Sequence, residues 1–313
     1  MTGTTLAIGA YDADDLAALR DELGAAHVAG PDLLGGLDQA TRAAVTAVAY
    51  SGQARFGAAQ MDLLPRLGIV ANYGVGYDAI DLAAARARGV AVTNTPGVLT
   101  DDVADLAVAM LLTQARGLVA ADRFVRSGGW AGGGAWPLQR KIGGARAGIL
   151  GLGRIGRAIA TRLAAFGMEI HYHSRAPKQT PGWAFHADPV ELARGVDFLV
   201  VALVGGPETA GYVSAAVIEA LGPAGVLVNI ARGSCVDETA LLDALETGRL
   251  GGAALDVFRN EPDIDPRFHA LSNVLLQPHQ GSATHATRAA MARLQRDNIA
   301  AFHAGRPLPT PVV

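Results

Sequence analysis

Short apolar runs alternate with amphipathic stretches along almost the whole chain. Leu6-Ala7-Ile8-Gly9, Val45 to Tyr50, Leu67 to Ala71 and Val90 to Thr93 are strand-length. Leu16, Leu19 and Leu23, after the acidic Asp12 to Asp15 cluster, share one helical face. In the second half Ala147 to Leu150, Ile170 to His173, Phe198 to Ala202, Val226 to Ile230, Ala253 to Val257 and Val274 to Gln277 repeat the pattern. Strands alternating with helices predict parallel sheets and an α/β fold. Between the halves, Thr93-Asn94-Thr95-Pro96-Gly97 is a turn cluster, followed by Thr100, Asp101 and Asp102 as a helix start. Val103, Leu106, Ala107, Met110 and Leu111 then form an apolar stripe, and a last helix is expected over about Thr284 to His303. Two domains follow: residues 1–98 plus 284–313, and residues 99–283. The chain crosses between them twice, and the crevice between them is the expected ligand site.

Composition narrows the function. The 313 residues are 50% hydrophobic and 18% charged, with a net charge of -3, which gives no reason to expect nucleic acid or an anionic membrane as partner. The one cysteine, Cys235, reads as an inert thiol and excludes an internal disulfide. Met1 to Ala10 lacks the pattern of a secretory signal, and no apolar run reaches the roughly 18 residues of a membrane span. A cytoplasmic protein acting on a small molecule is expected, with no metal.

Gly151-Leu152-Gly153-Arg154-Ile155-Gly156 follows an apolar run and opens a helix whose buried face is Ile159, Leu163 and Phe166. Glycines at this spacing allow a tight turn, the approach of a pyrophosphate to bare amides, and close packing of helix on strand. The helix N-terminus adds unpaired N–H groups. The motif alone is weak in a chain with 39 glycines, and its strand and helix context supports a doubly wound dinucleotide domain. An acid about 20 residues past such a loop binds the ribose hydroxyls of NAD. Here the strand ends His173-Ser174-Arg175 with Lys178 beyond, and without a carboxylate, so NADPH or NADP is preferred and NADH stays possible.

Three more strand ends carry chemistry: Arg232, Glu261 and His279 supply a cation, an acid and a titratable base at the sheet edge where such folds bind ligands. In Asn72 to Asp78, glycines at a strand's carboxyl end let the N–H groups of Val75 and Gly76 face an anion. Ser127 to Gly134, with Trp130 inside it and Trp136 just after, is either a disordered tip or an arm that reaches a partner.

With Gly74-Val75-Gly76-Tyr77-Asp78, Asn94-Thr95-Pro96-Gly97, the glycine loop, Asn229 to Gly233, Leu255-Asp256-Val257-Phe258, Asn260-Glu261-Pro262 and Pro278 to Ser282 in this order, the chain resembles the D-2-hydroxyacid dehydrogenases over nearly its whole length. The resemblance implies a Rossmann-type nucleotide domain inserted into a flavodoxin-like substrate domain. It implies reduction of a small 2-oxo acid, glyoxylate or hydroxypyruvate, by hydride transfer from the cofactor. Arg232 would hold the substrate and polarise its carbonyl, His279 would give the proton, and Glu261 would orient the ring and favour its protonated form. Val75, Gly76, Ser282 and Trp136 would complete the substrate side; Thr100, Arg154, Ile155, Val204, Ile230, Arg232 and Asp256 would join the glycines and the His173 to Lys178 segment on the cofactor side. A homodimer built through the nucleotide domains is also implied, with Trp136 near the partner's site. Arg259 stands where relatives often carry an acid, and the loop Val204 to Thr209 has smaller residues than usual, which suggests a looser wall. Two alternatives remain: a reductase of a bulkier aromatic 2-oxo acid such as hydroxyphenylpyruvate, and a dinucleotide-sensing interaction protein. The residues argue against a short-chain dehydrogenase, because neither Lys141 nor Lys178 has a tyrosine four residues earlier.

Overall fold

A computed structural model describes residues 4–313; Met1 to Gly3, the start of the segment read for a signal, lie outside the described residues. The chain divides into two compact units, Met1–Leu99 with Ala283–Val313, and Thr100–Ser282. The first unit is built on β1 (Thr4–Gly9), β2 (Ala26–Val28), β3 (Val45–Ser51), β4 (Ile69–Asn72) and β5 (Ala91–Thr93). These strands are all parallel, in the order β2-β1-β3-β4-β5. Alternation along each strand sorts its side chains. Leu6, Ile8, Val48, Tyr50, Val70 and Val92 fill one face, while Ala7, Ala47, Ala49, Ile69 and Ala71 form the other against Leu19 and Ile299. The alanines let the helices Ala13–Leu23 and His285–His303 pack close to the sheet. Gln295, on the second of these helices, donates to the Ala71 and Tyr50 carbonyls at 2.7 and 3.1 Å, satisfying buried acceptors at the ends of β3 and β4.

The second unit carries β6 (Arg146–Leu150), β7 (Glu169–His173), β8 (Ala184–His186), β9 (Phe198–Val201), β10 (Val226–Asn229), β11 (Gly252–Leu255) and β12 (Val274–Leu276). They form one parallel sheet in the order β12-β11-β10-β9-β6-β7-β8. Central strands such as Phe198 to Val201 are wholly buried and therefore read as unbroken apolar runs. The helix Thr100–Arg116 buries the expected stripe, including Val103, Ala107, Met110 and Leu111. The α/β class and its doubly wound nucleotide domain are as expected. Three elements were not expected. β2 and β8 are three-residue edge strands, too short to show a period. Gly117, with φ 58°, starts a separate helix, Leu118–Arg126. Ser127 to Gly134 then closes into successive turns, with Gly132 N–H on the Gly128 carbonyl at 2.9 Å and Gly134 N–H on that of Gly129 at 3.0 Å. Among the described residues no single helix is long and apolar enough to cross a membrane.

Strand order reverses at β6, so its carboxyl end opens between β7 and β9, where such sheets bind ligands. The glycine loop fits into that gap by contact with both neighbours. Gly151, at φ 96°, donates its N–H to the His173 carbonyl at 3.0 Å, and a β-carbon on it would lie 2.6 Å from the Ala202 carbonyl oxygen. A β-carbon on Gly156 would lie 2.0 Å from the Gly151 carbonyl oxygen. Gly156→Ala should therefore push the helix off the loop, costing about 1–3 kcal/mol of stability and weakening dinucleotide binding. Denaturant unfolding and cofactor titration check this, and wild-type values for both would contradict the close-packing role.

Candidate active site

Buried Asn229 shapes the turn after β10. Its Oδ1 accepts the Ala231 N–H and its Nδ2 donates to the Arg232 carbonyl, both at 3.0 Å. The Arg232 backbone is extended, and its Nη1 donates to the Ala231 carbonyl at 2.8 Å. Gly233 then passes directly against the chain beyond β11. A β-carbon there would lie 2.0 Å from the Phe258 carbonyl carbon. Only glycine allows that approach, and it brings the Arg232 turn against the loop that carries Glu261.

Glu261 is fixed from two directions: Oε1 accepts the Phe258 N–H at 2.8 Å, and Oε2 lies 2.6 Å from Nδ1 of His279. Its side chain is 13% exposed and that of His279 38%, so the pair is shielded on the acid's side and open to water on the imidazole's. An ionised carboxylate only accepts, so Nδ1 carries a proton in this pair, and Nε2 is the ring atom that can exchange one with a substrate. The imidazole is thus held in one tautomer and one orientation.

His279 is the one non-glycine with positive φ, 55°, among the described residues. That conformation costs about 1–2 kcal/mol for a residue with a β-carbon. Asp256, 1% exposed, holds it there. Its backbone carbonyl accepts the His279 N–H at 2.9 Å, and its carboxylate oxygens accept the N–H groups of Gln280 at 2.6 Å and Gly281 at 2.9 Å. Burial pushes the Asp256 carboxyl up from its ordinary range, and the two amides pull against that shift. Asp256, expected among the cofactor contacts, here shapes the histidine turn.

In the first unit, Val75 and Gly76 sit in a loop held by two buried asparagines. Asn72 Nδ2 donates to the carbonyls of Gly74 and Gly76 at 3.1 and 2.8 Å, and Asn94 Nδ2 to that of Val75 at 2.9 Å. In a trans peptide the N–H points opposite its carbonyl, so pinning the Gly74 and Val75 carbonyls turns the Val75 and Gly76 N–H groups the other way. Both N–H groups are thereby directed away from the asparagine side chains. Both asparagines belong to motifs visible in the sequence, yet periodicity says nothing about where an amide side chain folds back.

On the dinucleotide side the residues fit the expected group. Gly153 is exposed, with nothing within 4 Å of where a β-carbon would stand, so its backbone is open to a phosphate. Arg154, Arg175 and Lys178 are exposed, Ile155 and Ser174 half-buried, and the Ser174 hydroxyl donates to the Ala176 carbonyl at 2.6 Å. His173 departs from its expected role. It is buried, with Nδ1 on the His186 carbonyl at 3.0 Å and Nε2 on the Tyr212 hydroxyl at 2.6 Å. Both ring nitrogens are thus engaged within the protein, and the residue ties β7 to β8 and to Tyr212. Ile230 is buried and Val204 exposed. The loop after Val204 is closed by Thr209, whose hydroxyl donates to the Val204 carbonyl at 2.6 Å, so small side chains have not left it unanchored. Thr100 is the first residue of its helix, and half-buried Ser282 ends the unit. The Arg259 side chain is exposed, and its N–H donates to Glu238 at 3.0 Å. Trp136 packs on Phe124 of its own chain with ring centres 5.4 Å apart, while Trp130 and Leu138 are exposed.

A parallel sheet with a glycine loop at its switch point and an acid-backed histidine at its edge defines a nicotinamide-dependent dehydrogenase. Residues 108–281 match the NAD-binding domain of D-isomer-specific 2-hydroxyacid dehydrogenases. Hydroxyphenylpyruvate reductase of Plectranthus scutellarioides is 48% identical over 269 residues, 86% of each chain. A glyoxylate/hydroxypyruvate reductase of Arabidopsis thaliana is 47% identical over 272 residues, 87% of each. The crystal structure of an NADPH-dependent glyoxylate/hydroxypyruvate reductase from Sinorhizobium meliloti, in complex with NADP and malonate, superposes with a TM-score of 0.94 at 42% identity, covering 100% of this chain and 97% of that one. The chain belongs to the D-isomer-specific 2-hydroxyacid dehydrogenase family, and is an oxidoreductase that uses a nicotinamide cofactor.

Asp256→Asn places an NH2 group against one of the two backbone donors. Stability should fall by about 1–3 kcal/mol, and kcat should drop as the His279 turn relaxes. Thermal melting and steady-state kinetics check this; unchanged melting and turnover together would show that the carboxylate does not hold the turn.

Proposed function

We propose that the protein reduces a small 2-oxo acid, glyoxylate or hydroxypyruvate, to the D-2-hydroxy acid, with NADPH preferred over NADH. The observation that carries the reading is His279 held through Nδ1 by Glu261 at 2.6 Å, which commits Nε2 to proton transfer. A bound dihydronicotinamide supplies the hydride. Protonated His279 gives its proton to the carbonyl oxygen as charge builds there. Arg232 binds the substrate carboxylate and polarises the carbonyl through its planar donor fork, and the N–H groups of Val75 and Gly76 add anion binding. The preference for NADPH rests on exposed Arg175 and Lys178 beyond β7, without a carboxylate to repel a 2′-phosphate.

A homodimer joined through the nucleotide domains is the proposed assembly. Leu118, Val119, Val125, Trp130 and Leu138 are exposed on one helix and the segment after it, an apolar surface suited to a second copy, with Trp136 proposed to lie near the partner's site. The proposed location is the cytoplasm, a reducing compartment that suits the lone cysteine Cys235.

A second reading is reduction of an aromatic 2-oxo acid, for which a cavity of about 290 Å³ beside the Glu261–His279 pair offers apolar volume, though Arg232 does not line it. Glu261 and His279 line it together with Phe258, Pro262, Ile264 and Leu276. Similarity to the Plectranthus hydroxyphenylpyruvate reductase points the same way.

Turnover of glyoxylate, hydroxypyruvate and hydroxyphenylpyruvate with NADPH and with NADH, followed by nicotinamide absorbance, separates these readings. The highest kcat/KM is expected for a small acid with NADPH; preference for the aromatic acid selects the second reading, a clear NADH preference overturns the cofactor assignment, and no turnover leaves a dinucleotide-binding protein. His279→Gln should lower kcat by about 10²–10⁴-fold with NADPH affinity nearly intact in a fluorescence titration. Wild-type turnover in that variant would refute the proton-donor role.

A further inference from the structure

We infer that Tyr172, which lies inside the nucleotide domain, is a positioning residue for the 2′-phosphate of the cofactor: its hydroxyl pins the backbone of Lys178 and pre-shapes the loop that presents Arg175 and Lys178. The inference rests on the proposed preference for NADPH.

Tyr172 lies on β7 and is 1% exposed. Its hydroxyl accepts the Lys178 N–H at 2.9 Å and donates to the Lys178 carbonyl at 3.1 Å. Two bonds to one residue, six positions further on, close residues 172–178 into a ring. Inside the ring, Ser174 makes a second closure on the Ala176 carbonyl at 2.6 Å. From the opposite side Arg157, on the helix that begins at the glycine loop, donates Nη2 to the Gln179 carbonyl at 2.9 Å. Its guanidinium also lies 5.8 Å from the centre of the Trp183 ring. The segment that carries both cations is therefore tied to the strand that precedes it and to the helix that binds the pyrophosphate.

The hydroxyl is not needed for packing. The ring of Tyr172 lies 5.5 Å from that of Phe185, a contact that phenylalanine would keep. The exposed part of Lys178 is its side chain, while its peptide N–H and carbonyl both meet the buried hydroxyl. Hydrogen bonds of this kind add little to net stability. What they remove is conformational freedom that the loop would otherwise lose when an anion binds, and that loss weakens binding. The benefit falls on the ligand that uses the loop, the 2′-phosphate, and spares ligands that lack it.

Calorimetric titration of adenosine 2′,5′-bisphosphate and of AMP tests this without turnover. Wild-type protein should bind the bisphosphate more tightly. Tyr172→Phe should weaken bisphosphate binding about tenfold and leave AMP affinity unchanged, with KM for NADPH rising by a similar factor. A Tyr172→Phe protein that keeps the full preference overturns the inference while the cofactor reading stands. A wild-type protein with no preference overturns the cofactor reading, and the inference with it. If Tyr172→Phe does not fold, Arg157→Gln releases the same loop at Gln179; it should lower the preference in the same direction, and retention of the wild-type ratio would overturn the inference.

Discussion

A carboxylate almost closed off from water sets the geometry on which the reaction centre depends. Asp256 follows the last residue of β11, one strand in from the sheet edge, where its neighbours leave it 1% exposed. An anion in such a place must be met by donors, and the nearest are the backbone N–H groups of Gln280 and Gly281 on the turn after β12. Meeting them bends the turn so sharply that His279 takes a left-handed backbone. The position of the His279 imidazole is thus a consequence of electrostatics at a strand end, and a loop free to relax would not keep it.

The parallel sheet explains why the remaining parts converge. In a doubly wound sheet every strand delivers its loop to the same edge, so the turns after β10, β11 and β12 are neighbours although their residues are far apart in the chain. Close approach is then decided by volume. Gly233 lets the Arg232 turn touch the Phe258 backbone, and the Phe258 N–H in turn fixes one oxygen of Glu261. Arginine, acid and histidine are joined through the backbone as much as through their side chains.

Much of this was legible in the residues. Apolar runs marked the central strands because burial on both faces removes polar positions, and the glycine loop marked the switch point because only glycine tolerates those contacts. Arg232, Glu261 and His279 were visible as polar residues placed just past apolar runs. What escaped notice has a common cause. β2 and β8 are too short for a period and lie at edges where burial does not constrain composition. Asn72, Asn94 and Asn229 act by folding an amide back onto a backbone carbonyl, and Tyr172 by reaching six residues ahead. His173 was read by its position at a strand end, whereas its partners, the His186 carbonyl and the Tyr212 hydroxyl, lie on other elements. Periodicity reports which face of an element is buried and is silent about partners across the fold.

Two carboxylates lie within one turn of the same histidine, and the donors around them divide their work. Both oxygens of Asp256 are occupied by backbone N–H groups, which cannot change their protonation and hold their places through the chain. Glu261 has one oxygen on a backbone N–H and the other on the imidazole. A proton gained at Nε2 would therefore turn the bond from the imidazole to the Glu261 carboxylate into an ion pair, and its loss would leave the charge on the acid alone. Asp256 feels the imidazole only through space, its own hydrogen bonds remaining on the backbone. Exchanging the donors would reverse this: a histidine bonded to Asp256 would have its turn loosened by any proton the imidazole exchanged. Backbone donors on both oxygens of Asp256, against one backbone donor and the imidazole on Glu261, give the two acids different work.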